Sequence, residues 1–215
     1  KSLEKWKQRG ILSKSLDTFH FSYYPLELII PNSNLQATGK NILLGNSASY
    51  TNNHLEMMYH LKKLGVDEQG IKVPLSYGDR RYAKRIEKVG KSLFGENFTA
   101  VKKYLSYHDY NELIAECEMV IMNHMRSQRL GSTLAALYLG ARVFLNDTEL
   151  YRYFVSIGCK VFLVREELEK ELFTGTSLTP EVIETNRRLL RERFSEQVLV
   201  NSIRNSFEKR YHFGE

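Results

Sequence analysis

Residues 119–143, MVIMNHMRSQRLGSTLAALYLGARV, decide how the rest of the chain is read. An apolar, β-rich run, Met119-Val120-Ile121-Met122, enters a polar turn from Asn123 to Arg129. Gly131-Ser132-Thr133 then opens an apolar helix that ends at Gly140. This is the pattern of a strand feeding a helix N-terminus, where unpaired backbone N–H groups and the helix dipole favour an anion. Gly131 lets the backbone approach such a group closely. Arg126 and Arg129, just upstream, supply forked donors for a phosphate. A diphosphate-bearing ligand is the reading these residues support, although Ser and Thr also cap many helices that bind nothing.

The same alternation extends to both sides. Upstream, residues 40–47 form an apolar strand running into Gly45-Asn46-Ser47, a second candidate ligand loop. A helix follows over 54–64, closed by Gly65, with Asn52 and Asn53 as N-caps and Leu55, Met58, Leu61 and Leu64 as its buried face. Residues 71–77 read as a strand whose Pro74 places it at a bend or near the end of its pairing. A helix over 80–94 carries a basic, solvated face. Residues 98–105 are extended, 106–109 a turn capping a helix over 110–117, and 118–122 the strand of the central stretch. Downstream come a strand over 141–145, a helix over 150–156 closed at Gly158, and a strand over 160–164. Beyond 165 the chain is helical and highly charged, with Thr179-Pro180-Glu181 starting a long helix to about 194 and another over 195–212. At the other end, residues 2–9 suit a short helix with Trp6 on its apolar side. Residues 18–24 alternate, their aromatics Phe19, Phe21, Tyr23 and Tyr24 reading as core, and 26–30 are a strand or helix stub.

Strands alternating with helices through residues 40–165 give an α/β domain around a mostly parallel sheet with right-handed crossovers. Three segments result: 1–35, a connector packing on the main domain; 36–165, the α/β domain; and 166–215, extra C-terminal helices. At 215 residues the chain suits one domain with additions. It opens on Lys1 without a Met, as a piece of a longer protein would.

The formal charge is +6 and the pI near 9.2, with Lys and Arg spread along the chain and interleaved with acids. That balance suits anionic ligands or an anionic membrane surface, and solubility equally well. No apolar run is long enough to span a membrane. Cys117 and Cys159 make no disulfide framework and no metal pattern, which points to a reducing, cytoplasmic location. The six histidines read as structural or exposed; His54 and His60 fall on different faces of one helix. Neither G-x-G-x-x-G, a P-loop nor G-x-S-x-G occurs, so dinucleotide redox chemistry, ATP hydrolysis and a nucleophile elbow lack their usual support.

The carboxyl ends of the strands carry the informative residues. They are Asn46-Ser47-Ala48-Ser49, Ser76-Tyr77-Gly78-Asp79, Leu105-Ser106-Tyr107, 123–133 and Asn146 to Glu149. Hydroxyls, amides, two arginines and carboxylates, Glu149 among them, suit a nucleotide diphosphate bearing a sugar. The dipole and Arg take the phosphates, Tyr the base, and Glu149 a ribose or sugar hydroxyl.

Five blocks in this order, ILLGNSASYTNNHLE (42–56), VPLSYGDRRYAKRI (73–86), LSYHDYNELIAECE (105–118), RSQRLGSTL (126–134) and VFLNDTE (143–149), resemble the C-terminal half of the bacterial 4-acetamido-4,6-dideoxygalactose (N-acetylfucosamine) transferases. These are also called 4-alpha-L-fucosyltransferases and help to build enterobacterial common antigen. The resemblance covers about residues 40–165. It implies a GT-B glycosyltransferase of two Rossmann-like domains, this chain being the half that binds a dTDP-sugar donor. The N-terminal domain, absent here, would bind a lipid-linked glycan acceptor. Carried over block by block, Gly45, Asn46 and Ser47 line the first loop, with Tyr77 at the second. Arg126, Gln128, Gly131, Ser132 and Thr133 hold the diphosphate, and Asn146 and Glu149 lie near the nucleoside or sugar.

Two departures shape the expected chemistry. Many retaining GT-B enzymes place a Glu before the glycine-rich turn and a second at the head of the helix, where this chain has Arg126 and Leu134. The glycine expected two residues before Gly131 is Arg129. Stabilisation of the departing diphosphate therefore falls to Arg126, the helix terminus and backbone amides, without a metal, and the general base to the other domain. The reaction implied is displacement of a nucleoside diphosphate from an anomeric carbon by an acceptor hydroxyl. A non-catalytic nucleotide or sugar-phosphate binding module would use the same loops. Nucleic acid is not expected as a partner, because no basic stripe carries interleaved aromatics. An undecaprenyl-linked acceptor would bring the cytoplasmic chain to the inner face of the bacterial inner membrane as a peripheral protein.

Overall fold

The computed structural model describes residues 2–15, 25–128, 130–174 and 176–210. Two short helices, α1 (Ser2–Gln8) and α2 (Leu26–Ile29), precede an alternation of strands and helices: β1 (Asn41–Leu44), α3 (His54–Lys63), β2 (Ile71–Pro74), α4 (Arg80–Phe94), β3 (Phe98–Val101), α5 (Tyr107–Ala115), β4 (Cys117–Met122), α6 (Leu130–Leu139), β5 (Arg142–Leu145), α7 (Glu149–Ser156) and β6 (Phe162–Leu163). Then come α8 (Val164–Thr174), α9 (Pro180–Phe194) and α10 (Glu196–Arg210). The six strands form one sheet in the order β3-β2-β1-β4-β5-β6, and every pairing is parallel. That order reverses between β1 and β4, the switch point of a doubly wound Rossmann-like sheet.

Both faces of the sheet are covered, which is why its strands are continuous apolar runs instead of alternating ones. Leu43, Val120, Met122, Val143 and Leu145 point into a core closed by α2, α5, α6 and α9. Ile42, Leu44, Met119, Ile121 and Phe144 point the other way, under α3, α4 and α8. Helix α6 is buried from Thr133 to Leu139, apolar all round because it lies between the sheet and α9. Arg142, 1% exposed at the start of β5 on the α8 side of the sheet, is paired. Its guanidinium donates to Glu118 Oε1 (2.8 Å) and to the Glu171 carbonyl (2.7 Å), clamping α8 to the sheet. Cys117 and Cys159 are free, buried thiols, pushed up by burial to about 12 and about 11.

Helices α4 and α9 start where their caps require: Asp79 accepts the Tyr82 N–H at 2.6 Å and Thr179 the Val182 N–H at 3.4 Å. Several expectations need correction. Helix α5 begins at Tyr107, three residues early, because Ser106 and Asp109 form a reciprocal cap: the Asp109 N–H donates to Ser106 Oγ (3.1 Å) and the hydroxyl to Asp109 Oδ2 (2.9 Å). Cys117 then opens β4 instead of ending the helix. Helix α3 buries His54, Met57, Met58 and Leu61, leaving Leu55 and Leu64 half-buried, since the left-handed turn at Asn53 (φ 51°) sets how the chain enters the helix. Trp6 is 48% exposed. Residues 26–30 resolve to a helix stub, α2, held against α5 by Asn111 Nδ2 donating to the Ile29 carbonyl (2.9 Å). The strand-like segment 18–24 and its aromatics lie outside the described residues, as does Arg129. Among the described residues no helix is long and apolar enough to cross a membrane.

Candidate functional site

The loops leaving β1, β4 and β5 meet at the switch point and are tied into one platform. The Gly45 N–H continues the β1–β4 ladder to the Ile121 carbonyl (2.9 Å), and then the chain turns at φ 67°. A side chain at Gly45 would collide with the His54 imidazole and come within 2.8 Å of Asn52 Oδ1. Asn52, fully buried, is the hub. Its Oδ1 accepts the Asn46 N–H (3.0 Å) and lies 2.9 Å from His124 Nε2, and its Nδ2 donates to Ser47 Oγ (3.2 Å). Ser47 Oγ donates in turn to Asn46 Oδ1 (3.3 Å).

Further ties lock the β4–α6 loop to both neighbours. The Met125 N–H donates to the Thr51 carbonyl (2.9 Å) and the Thr51 hydroxyl to Gln128 Oε1 (2.9 Å). Asn146 Nδ2 donates to Asn123 Oδ1 (2.8 Å) and to the His124 carbonyl (3.2 Å), and the Leu150 N–H to Ser127 Oγ (3.1 Å). Such lacing holds loop side chains in place without secondary structure of their own. His54 sits neutral inside it. Burial, and then the neighbouring His124, lower its pKa from 6.5 to about 3.

Beside this platform a cleft of about 180 Å³ opens over the carboxyl ends of β1, β2 and β3. Asn46, Ser132, Tyr77 and Tyr104 line it, with Tyr107 and Tyr110 from the start of α5. Asn46 is 3% exposed, and among the described residues its Nδ2 has no hydrogen-bond partner. A buried donor left in this way calls for an acceptor.

The cleft gathers three of the residues expected from the sequence: Asn46, Tyr77 and Ser132. Gly45 and Ser47 lie in the hydrogen-bonded platform. Gln128 holds Thr51, and Asn146 ties the β4 and β5 loops. Gly131 is in the first turn of α6 next to Ser132, and Thr133 is fully buried behind it. Arg126 and Glu149 are exposed and do not line the cleft. Sequence reasoning missed Asn52 and His54, and it included Asn123 and His124 in the 123–133 stretch without giving either a role of its own. Asn123 and His124 directly follow β4, whereas Asn52 and His54 stand at the head of α3, where the sequence marks Asn52 as a helix cap. Among the described residues no three His, Cys, Asp or Glu side chains gather as a metal site would require.

Residues 14–193 match the family described as 4-alpha-L-fucosyltransferase glycosyl transferase group 56. The chain belongs to that family. The fold of this group 56 chain is found again in solved GT-B structures of low sequence identity. Sucrose-phosphate synthase from Thermosynechococcus elongatus is 10% identical with a TM-score of 0.66, over 99% of this chain and 57% of that one. A glycosyltransferase from Rickettsia africae ESF-5 is 14% identical with a TM-score of 0.65, over 86% and 51%. A mutant of S. aureus TarM, in complex with Fondaparinux, alpha-GlcNAc-glycerol and UDP, is 13% identical with a TM-score of 0.65, over 95% and 42%. The group 56 chain thus spans about half the length of these structures and has the Rossmann-like architecture of one half of a GT-B glycosyltransferase.

Proposed function

We propose that this chain is the donor-binding half of a glycosyltransferase that moves a deoxyamino sugar, such as 4-acetamido-4,6-dideoxygalactose, from a dTDP-sugar to a lipid-linked glycan acceptor in bacterial cell-surface polysaccharide synthesis. The observation that carries the reading is the cleft itself. Asn46, whose Nδ2 has no hydrogen-bond partner among the described residues, lines it together with Ser132 from the first turn of α6 and with Tyr77, Tyr104, Tyr107 and Tyr110. In this reading the base stacks among the tyrosines and the diphosphate lies at Gly131 and Ser132 on the positive end of α6. The acceptor hydroxyl forms its bond to the anomeric carbon as the bond to the diphosphate oxygen breaks. The hydroxyl proton passes to a base outside this chain. Charge on the leaving diphosphate is met by the helix terminus and, from outside the cleft lining, by the exposed Arg126 on the loop just before α6, without a metal.

Gly131 separates this role from a structural one. It has no left-handed backbone, and among the described residues a Cβ there would meet only Ile29 Cδ1, at 3.8 Å. No neighbouring side chain demands glycine, although glycine weakens a helix by up to about 1 kcal/mol relative to alanine. Gly131→Ala should therefore hold or raise the urea midpoint while weakening dTDP binding about ten-fold, or ~1.4 kcal/mol. Unchanged dTDP affinity in a stably folded variant would remove the diphosphate from α6.

A further inference from the structure

The basic excess is not spread along the chain as its interleaving with acids suggests. Residues 80–103 hold eight Lys and Arg against two carboxylates, Glu87 and Glu96, an excess of six that equals the formal excess of the whole chain. Everything outside this segment is neutral in sum. The fold then turns that excess onto one surface. Arg80, Arg81, Lys84, Arg85, Lys88 and Lys91 are all exposed. At about 100° per residue they fall within an arc of about 140° on α4, opposite the buried Tyr82, Ile86, Gly90 and Phe94. Lys102 and Lys103, exposed beyond β3, continue the strip. Lys102 Nζ donates to both Glu87 oxygens at 3.1 Å, which pins the exit of β3 beside α4. Glu87 also takes Lys91 (3.2 Å), and among the described residues no carboxylate pairs with the other six cations.

At the end of the strip stands Tyr104, 78% exposed, with Tyr77 beside it on the cleft rim. Phenol rings edging a cationic face fit the boundary between lipid headgroups and acyl chains. A single-stranded nucleic-acid track would instead interleave its aromatics along a groove. Here the charge lies on one exposed helix and the rings gather at its end.

We propose that this face docks the chain onto an anionic phospholipid bilayer, with Tyr104 at headgroup level and the cleft opening beside the membrane. The docking goes beyond the donor-binding reading and stands whether or not a nucleotide occupies the cleft. Each Lys or Arg held near an anionic leaflet contributes about five-fold in partitioning, and the attraction weakens with salt.

The test is co-sedimentation of the whole chain with vesicles of phosphatidylcholine alone and with vesicles of equal parts phosphatidylcholine and phosphatidylglycerol. The chain should pellet with the anionic vesicles only. Replacing Arg81, Lys84, Arg85 and Lys88 together by Gln should weaken that binding on the order of several hundred-fold. A control carrying Lys40→Gln, Arg165→Gln, Lys170→Gln and Arg204→Gln, with the same net charge, should retain it. Tyr104→Ser, which leaves every charge in place, should weaken it by about five-fold. Circular dichroism of each variant checks that it is folded. Equal losses in the two four-site variants would mean that net charge alone drives the binding and would overturn the proposal. So would failure of the unmodified chain to bind anionic vesicles, or its release from them by a low concentration of oligonucleotide.

Discussion

Acidification from pH 6.5 to about pH 4.5 is expected to remove roughly 2 kcal/mol of stability through His54 alone. His54 is fully buried at the head of α3, with Nδ1 3.4 Å from the Tyr82 hydroxyl, and among the described residues its Nε2 has no hydrogen-bond partner. Burial first, and then the neighbouring His124, hold its pKa near 3, against 6.5 in the unfolded chain. Below pH 6.5 the unfolded chain therefore binds a proton that the folded chain refuses. Stability is fully present above pH 6.5 and falls by about 1.4 kcal/mol for each pH unit until the folded value is reached. Urea unfolding across this range measures the slope. A His54→Leu variant, whatever its absolute stability, should show a slope smaller by about one proton. Identical slopes in the two proteins would mean that His54 titrates normally and that the platform is not closed around it.

Arg126→Ala should weaken dTDP binding by about ten- to one-hundred-fold and leave thymidine binding unchanged, since a hydrogen bond from a charged donor is worth about 1.5–3 kcal/mol. The loop that carries Arg126 is held on both sides, by Ser127 against the start of α7 and by Gln128 against Thr51. Its guanidinium is exposed and takes no carboxylate partner among the described residues. Truncating an exposed, unpaired side chain should change stability by less than about 0.5 kcal/mol, so a loss of binding would report on the ligand. Titration of the variant with dTDP and thymidine separates the cases. Equal losses for both would assign Arg126 to the nucleoside and leave the diphosphate to α6 alone.

The architecture was legible wherever a local signal and the fold agree. The Asp79 and Thr179-Pro180 caps mark the starts of α4 and α9, and the apolar runs of β1, β4 and β5 announce strands buried on both faces. The misreadings arose where two local signals competed. Ser106 and Asp109 look like a turn until their reciprocal bonds extend α5 backward, and Asn52 looks like a helix cap until its amide is found holding Ser47 and His124. The platform was invisible for a different reason. His124 and Asn52 are 72 residues apart in sequence, and no spacing rule brings a β4 loop onto a β1 loop without the strand order. Likewise the cationic face depended on knowing which side of α4 the sheet covers. The chain-wide interleaving of charges hid it, although the run of Lys and Arg after Asp79 was in plain view.

The proposal that this group 56 chain binds a nucleoside diphosphate of thymidine in its cleft is tested most directly by calorimetric titration of the chain with dTDP, UDP, GDP and thymidine. The account predicts that dTDP binds more tightly than UDP and GDP, and at least about ten-fold more tightly than thymidine, the difference being the diphosphate seated at α6. Thymidine binding as well as dTDP, or no heat of binding from any of the four, would contradict it.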